Sequence, residues 1–162
     1  MDRPGLAAGA IPTNDHLTCV FVGAPPAVLA DLVQDGRPDH AMRYVRGMPG
    51  YLRRAIGPGW ALIGDAGYWK DPLSAHGLTD AFRDAELLAD AVTSTRGPGP
   101  AQVRALADYE ARRDALARPF LDVTEKIAAY QWDLTEVRGL LIELAAVMSD
   151  EIDVLSSIQE EV

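Results

Sequence analysis

The chain has 162 residues, of which 48% are apolar and 24% are charged, so it can form one globular core but is short for two well-developed domains. Its formal net charge of -9 argues against nucleic acids and anionic membrane surfaces as partners, because such surfaces are bound by clustered Lys and Arg. The single cysteine, Cys19, excludes an internal disulfide and a cysteine metal cluster, and no apolar run is long enough for a signal peptide or a membrane span, so we expect a cytoplasmic protein.

The first third of the chain predicts a loop, a strand and a short helix. Residues 1–14 combine glycine, proline and small side chains without a period, which indicates a loop, and a turn-like Pro-Thr-Asn-Asp follows over 12–15. The β-branched and aromatic residues of 17–22 predict a strand. Two prolines then favour a short helix over 27–33, and no element is predicted over 34–54.

The middle and the end of the chain carry stronger local signals. A tight turn over 57–59 leads into the apolar run 60–63, which predicts a buried strand that opens into a site at Gly64-Asp65. After a loop over 66–76, apolar residues at helical spacing predict a helix that starts near Gly77 and ends before Gly97. Further helices are predicted over 101–117 and 120–157, with Pro119 as the break between them.

The charged residues on these helices are expected to have structural roles and no catalytic role. The first group is expected to form a solvated or ion-paired face and comprises Arg83, Asp84 and Glu86. The second group is expected to be exposed charge at helical spacing and comprises Arg104, Glu110, Arg112, Arg113 and Asp114.

Residues 59–88 contain an ordered set of features: a strand, Gly64-Asp65-Ala66, a loop that holds Pro72, and Gly77 opening a helix with Asp-Ala and a leucine-rich face. This order and spacing resemble the second flavin-binding motif of class A flavoprotein monooxygenases and their geranylgeranyl-reductase-like relatives. The resemblance extends more weakly to 12–22, as a strand of the substrate-side sheet, and to 109–114, as the C-terminal helix.

The resemblance implies an α/β chain with a partial FAD-binding fold, Rossmann-like and of the glutathione-reductase type, with a substrate-sheet remnant and a helical C-terminal half. Residues 1–56 are then the sheet remnant and linker, 57–96 the second FAD-binding motif, and 97–162 the C-terminal helices. The family's Gly-x-Gly-x-x-Gly turn does not occur in the sequence. We therefore expect a chain that starts partway through a longer enzyme, with a missing N-terminal half or a homo-oligomer as partner.

The resemblance also implies a cofactor site. Asp65 would accept hydrogen bonds from the ribityl chain of FAD, unless it only caps the nearby turn. The backbone N–H groups of Gly77 and Leu78, at the positive end of a helix, would stabilise charge on the flavin, unless this is an ordinary helix start. Tyr68 stands where many relatives carry histidine. No catalytic residue is assigned and no metal is expected. The implied cofactor-binding residues are Gly64, Asp65, Pro72, Ser74, Ala75, His76, Gly77 and Leu78.

The function implied is that of an FAD-dependent oxidoreductase. The leading form is a flavin monooxygenase that uses NAD(P)H and oxygen on a small organic substrate, with a geranylgeranyl-reductase-like reductase of double bonds as the alternative. A third alternative is a non-catalytic helical interaction module derived from the family. Apolar residues at helical spacing over 134–158, among them Leu140, Leu144 and Leu155, would pack it onto the main body or onto a partner.

Overall fold

A computed structural model describes residues 5–29 and 47–160, with side chains up to residue 156. Within these residues, the six strands are short and form three separate antiparallel pairs, β1 with β2, β3 with β6, and β4 with β5. Three long helices follow. The strands are β1 (Ala7–Pro12), β2 (Thr18–Gly23), β3 (Tyr51–Leu52), β4 (Ile56–Gly57), β5 (Trp60–Ala61) and β6 (Tyr68–Trp69), and the helices are α1 (Gly77–Thr93), α2 (Pro100–Ala128) and α3 (Leu134–Glu160).

The N-terminal segment is a hairpin with exposed faces. The strand predicted over 17–22 is confirmed as β2, but the loop predicted over 1–14 is wrong for β1, which pairs with β2 from Ala7 opposite Gly23 to Pro12 opposite Thr18. Small residues have low strand propensity by themselves, and pairing with an apolar neighbouring strand overrides it. Residues 26–29 are helical, which confirms the first residues, 27–29, of the helix predicted over 27–33. The remainder of that helix lies outside the described residues.

The strand predicted over 60–63 is shorter and more exposed than expected. Pro58 and Gly59, whose φ is +78°, turn the chain back so that β5 pairs with β4 just before it in sequence. Trp60 is 46% exposed and Ile63 is 40% exposed, so the prediction of a buried strand is wrong. A local hairpin satisfies the backbone here without a parallel neighbour, and the Rossmann-like fold stays a prediction.

Helix α1 confirms the predicted start near Gly77 and the predicted end before Gly97. Helix α2, by contrast, runs without a break through Pro119, so the predicted break is wrong. Pro119 lies on the exposed face, where water can satisfy the carbonyl that the proline leaves without a donor, while Ala117, Phe120 and Val123 on the buried face keep the helix packed.

The break between the last two helices falls at residues 129–133 instead. Tyr130 has a φ of +53°, a left-handed conformation that prevents α2 from continuing. Asp133 then caps α3, because its Oδ1 accepts hydrogen bonds from the backbone N–H groups of Thr135 and Glu136, both at 2.8 Å. The Glu136 carboxylate accepts a bond from the N–H of Asp133 at 2.8 Å, which completes a reciprocal cap.

The core lies where the three helices meet the β4–β5 hairpin. Its buried centre comprises Ala55, Leu87, Ala91 and Tyr109, and Val154 and Leu155 of α3 pack against it. The last helix is therefore tied to the body of the protein by apolar burial, the main favourable term in folding. In the described part of the chain, no helix combines the length and the apolar character that crossing a membrane requires.

Candidate cofactor-binding site

A cavity of about 100 Å³ lies at the start of α1. Its walls come from the loop between β6 and α1, from the turn before β6 and from the first turn of α1. Six of the eight residues predicted to bind a cofactor line it; the other two, Gly64 and Leu78, do not. The lining residues are Asp65, Tyr68, Trp69, Lys70, Asp71, Pro72, Ser74, Ala75, His76, Gly77 and Asp80.

The loop that carries most of these residues is shaped by its own hydrogen bonds. The Asp71 carboxylate accepts a bond from the N–H of Leu73 at 3.0 Å and so starts a single turn over Pro72–Ser74. Ala75 closes that turn with a φ of +52°, donating to the carbonyl of Pro72 at 2.9 Å. The carbonyl of His76 accepts the first bond of α1, from the N–H of Asp80 at 3.1 Å. Hydrogen bonds between residues close in sequence thus direct the chain into α1 beside the cavity.

Asp65 is exposed in the turn over Gly64–Ala66 and does not lie at the end of a buried strand as predicted. The correction follows from the short β5 strand, which ends before this turn. The Asp65 carboxylate is 3.7 Å from the position that a Cβ would take on Gly77. Because that is an ordinary contact and the φ of Gly77 is not in the left-handed range, the fold itself does not require glycine at position 77. A ligand that approaches the helix start closely would require it.

Gly64 is explained by packing against α1. Its φ is +52°, and an added Cβ would lie 3.0 Å from the Cβ of Ala81. Its N–H donates to the buried Asp84 carboxylate at 2.9 Å, which fixes the turn on the helix. Leu78 is 71% exposed on the first turn of α1. A direct contact of either residue with a cofactor remains a prediction.

Beneath the cavity lies a buried cluster of two cations and three carboxylates, here called the ion cluster: Lys70, Asp80, Arg83, Asp84 and Glu151. Arg83 is 2% exposed and donates to Asp84 at 2.8 Å, to Asp80 at 3.0 Å and to Glu151 at 2.5 Å. Three carboxylates hold the guanidinium, and these partners raise its pKa although burial opposes the charge. Of the two roles predicted for Arg83 and Asp84, an ion-paired one is confirmed and a solvated one is wrong.

Arg113 is a second buried arginine, where exposed charge was predicted. It donates to the backbone carbonyl of Arg53 at 2.6 Å and to Asp114 at 2.6 Å, and so ties α2 to the segment that precedes β4. Helical spacing did not distinguish it from a surface charge, because the pattern of α2 does not show which polar side chain finds a carbonyl to bind.

The cavity wall has two hydroxyl groups that are buried and have no hydrogen-bond partner among the described residues, those of Tyr68 and Ser74. Burial raises the pKa of the Tyr68 hydroxyl, and the Asp80 carboxylate adds to this, so the group stays neutral and can donate a proton to a hydrogen bond. Buried polar groups are nearly always paired in folded proteins. Two free hydroxyls here therefore fit a ligand that offers polar atoms.

Lys70 links the cavity to the ion cluster. Its ammonium contacts the Asp80 carboxylate and lies 4.5 Å from the ring centroids of both Tyr68 and Phe120. Burial lowers the pKa of Lys70, although the bond to Asp80 opposes this. Lys70 is buried and lines the cavity.

His76 contacts two other helices. Its ring stacks on Phe120 of α2 at 4.7 Å between centroids, and its Nε2 contacts the Glu151 carboxylate of α3. The side chains of His76, Asp80 and Glu151 could together surround a metal ion. However, Lys70 and Arg83 already contact these carboxylates, so two side-chain cations supply the charge that a metal would bring.

Comparison with known proteins gives one informative similarity. No family model matches the chain. A digeranylgeranylglycerophospholipid reductase from Methanothrix thermoacetophila is 28% identical over 122 residues, a match that covers 67% of this chain and 31% of the relative. The chain thus spans less than a third of that relative's length. The similarity to a reductase supports an oxidoreductase in general terms, in agreement with the resemblance of residues 59–88 to a flavin-binding motif.

Proposed function

We propose that this chain supplies the flavin-facing part of an FAD-dependent oxidoreductase. The observation that carries the proposal is the cavity at the start of α1, which six of the eight residues predicted to bind a cofactor line. The similarity to a reductase supports the same class of protein. A cavity of about 100 Å³ accepts only part of a flavin, so the remainder would lie across the open surface beside Pro72 and Ala75.

Each group of the site has a definite task in this proposal. Asp65 accepts hydrogen bonds from ribityl hydroxyls, and the hydroxyls of Tyr68 and Ser74 donate to polar atoms of the ligand. The backbone N–H groups of Gly77 and Leu78, in the first turn of α1, have no partner within the helix and stabilise negative charge on the ring edge. FAD, when bound, would supply the electron transfer, with NAD(P)H as the reductant.

Two reactions share this cofactor site. One is oxygenation of a small organic substrate by a monooxygenase, and the other is reduction of a carbon–carbon double bond. The similar protein is a reductase, which favours the second. Turnover of the reduced flavoprotein without oxygen separates the two, because only the reductase can then consume substrate.

The site is tested by fluorescence titration of the chain with FAD and with riboflavin. Riboflavin has only the ring and the ribityl chain, which are the parts that this segment is proposed to hold. Asp65→Ala should weaken riboflavin binding at least tenfold, about 1.4 kcal/mol. Its carboxylate makes no hydrogen bond to another described residue, so the variant should keep the stability of the wild type. Asp90→Ala, an exposed change on α1 away from the cavity, is the matched control and should leave binding unchanged.

Equal riboflavin affinity in the wild type and in Asp65→Ala would refute the proposed role of Asp65. If neither flavin binds the wild type, the chain alone is not a flavin site. The non-catalytic interaction module would then be the better proposal. An observation on α3 supports that alternative: Leu141, Ile142 and Ile152 are exposed on the side that does not pack on the body.

A further inference from the structure

Helix α3 has one buried residue among its described side chains, and that residue is charged. Glu151 is 3% exposed, whereas the neighbouring Val154 and Leu155 are only half-buried. Removing a carboxylate from water costs several kcal/mol, about as much as several buried methylene groups contribute. Well-packed apolar residues can hold a helix at lower cost than a buried ion pair. The charge at 151 thus calls for a reason beyond attachment of the helix.

The two oxygens of Glu151 bind different partners. Oε1 accepts from Arg83 at 2.5 Å, and Oε2 contacts Nε2 of His76. Arg83 would keep two carboxylates, those of Asp80 and Asp84, if Glu151 were lost. The His76 ring has no other hydrogen-bond partner among the described residues. The specific consequence of losing the charge therefore falls on His76.

His76 occupies the position where a change in orientation matters most. Its ring lines the cavity, and its backbone carbonyl accepts the first hydrogen bond of α1. Phe120 supports one face of the ring, at an interplanar angle of 24°, but stacking alone leaves the ring free to rotate in its plane. The contact with Glu151 removes that freedom.

We propose that Glu151 is a positioning residue of the cofactor site, which fixes the His76 ring at the cavity wall, so that helix α3 forms part of the site. This inference rests on the proposed function of the cavity. Glu151 remains charged in this role. Burial would raise its pKa, but hydrogen bonds and charges from His76 and Arg83 outweigh burial and lower it.

The first measurement needs no flavin. The sequence has three histidines, so their imidazole proton resonances can be resolved by NMR, with His76→Gln to assign His76 and the exposed His16 as an internal reference. In the wild type, the Phe120 ring current should displace the His76 resonances. Glu151→Gln should move them towards the His16 positions, while Asp153→Asn, the same change of charge at an exposed site of α3, should not. A folded Glu151→Gln protein with unmoved His76 resonances would overturn the proposal.

The second measurement is riboflavin affinity, corrected for the fraction of folded protein from a denaturation curve. We expect about tenfold weaker binding in Glu151→Gln and in His76→Gln, and no further loss in the double variant, because both changes act on one contact. His76→Gln leaves the Arg83 contacts intact and so tests the site even if Glu151→Gln folds poorly. Unchanged affinity in both variants, with a wild type that binds, would overturn the role at the site. A wild type that binds neither flavin would instead refute the proposed function, while displaced His76 resonances would still support positioning by Glu151.

Discussion

Alanine substitutions at three glycines can distinguish three reasons for a glycine: backbone strain, close packing and the close approach of a ligand. Gly64 has a φ of +52° and a Cβ position 3.0 Å from the Cβ of Ala81; Gly59 has a φ of +78° with nothing within 4 Å; Gly77 has neither constraint. An alanine at 64 is thus both strained and crowded, an alanine at 59 is only strained, and an alanine at 77 is free. The same substitution at each site cancels the effect of glycine on the unfolded chain.

The magnitudes follow from these distances. Holding alanine in the left-handed region costs about 1 to 2 kcal/mol, which we expect for Gly59→Ala. Gly64→Ala has the same cost and must also displace the α1 backbone at Ala81. By analogy with overpacked cores, this displacement costs about 1 to 3 kcal/mol, so the total is about 2 to 5 kcal/mol. Gly77→Ala should stay within about 0.5 kcal/mol of the wild type. The bulkier Gly77→Val should keep the helix but crowd the flavin, so it should lose riboflavin binding.

Urea denaturation followed by circular dichroism measures the free energy of unfolding of the wild type and the three alanine variants. Equal m-values establish that the same structure unfolds in each. If Gly64→Ala and Gly59→Ala lose the same free energy of unfolding, Ala81 moves aside at no energetic cost. Packing against α1 would then not explain the glycine at 64. If Gly77→Ala loses as much free energy of unfolding as Gly64→Ala, the start of α1 is too closely packed to leave room for a ligand. Normal riboflavin affinity in Gly77→Val would refute a flavin beside position 77.

Three further predictions use the same denaturation assay. The pKa of Glu151 is lowered from 4.5, so its stabilisation is present above pH 4.5 and is lost as the pH falls through the folded value; Glu151→Gln should flatten this acid limb. Burial raises the pKa of Tyr109 from 10.0 to about 12, so stability should fall as the pH rises from 10 to 12. Tyr109→Phe should make that fall less steep, with Tyr68 left to contribute, and should cost about 1 to 2 kcal/mol for the lost bond to Leu62. Pro119→Ala should stabilise the protein by about 1 kcal/mol or more, whereas a loss of stability would contradict a continuous α2.

Local signals in the sequence were enough to predict α1 and the turn just before it. The apolar spacing of α1, the glycine at its start and the polar turn at 71–75 all act within a few residues, so no distant contact is needed to form them. The cavity follows from these elements, which is why six predicted residues line it. The loop predicted over 66–76 is wrong for β6, which forms by pairing with β3. The β1 strand and the passage of α2 through Pro119 depend on neighbours that the local pattern does not contain, and they were missed.

The ion cluster could not be predicted for a different reason. Arg83 and Asp84 look like surface charges in the sequence of α1, since the helical pattern is the same whether a side chain meets water or a buried partner of opposite charge. Glu151 is 75 residues from His76 in sequence, in a helix whose apolar pattern alone predicted packing. Only the tertiary arrangement of α1, α3 and the loop before α1 brings these charges together.

Charge balance in the ion cluster gives a prediction that tests this arrangement as a unit. Lys70 and Arg83 face three carboxylates, a formal charge of -1. Lys70→Met makes it -2 and leaves Asp80 short of one partner, which should cost about 3 to 5 kcal/mol, as for other broken buried pairs. Adding Asp80→Asn returns the charge to -1 while Arg83 keeps Asp84 and Glu151, so the double variant should be more stable than Lys70→Met. If the two losses simply add in urea denaturation, the cluster is not electrostatically coupled and the reasoning fails.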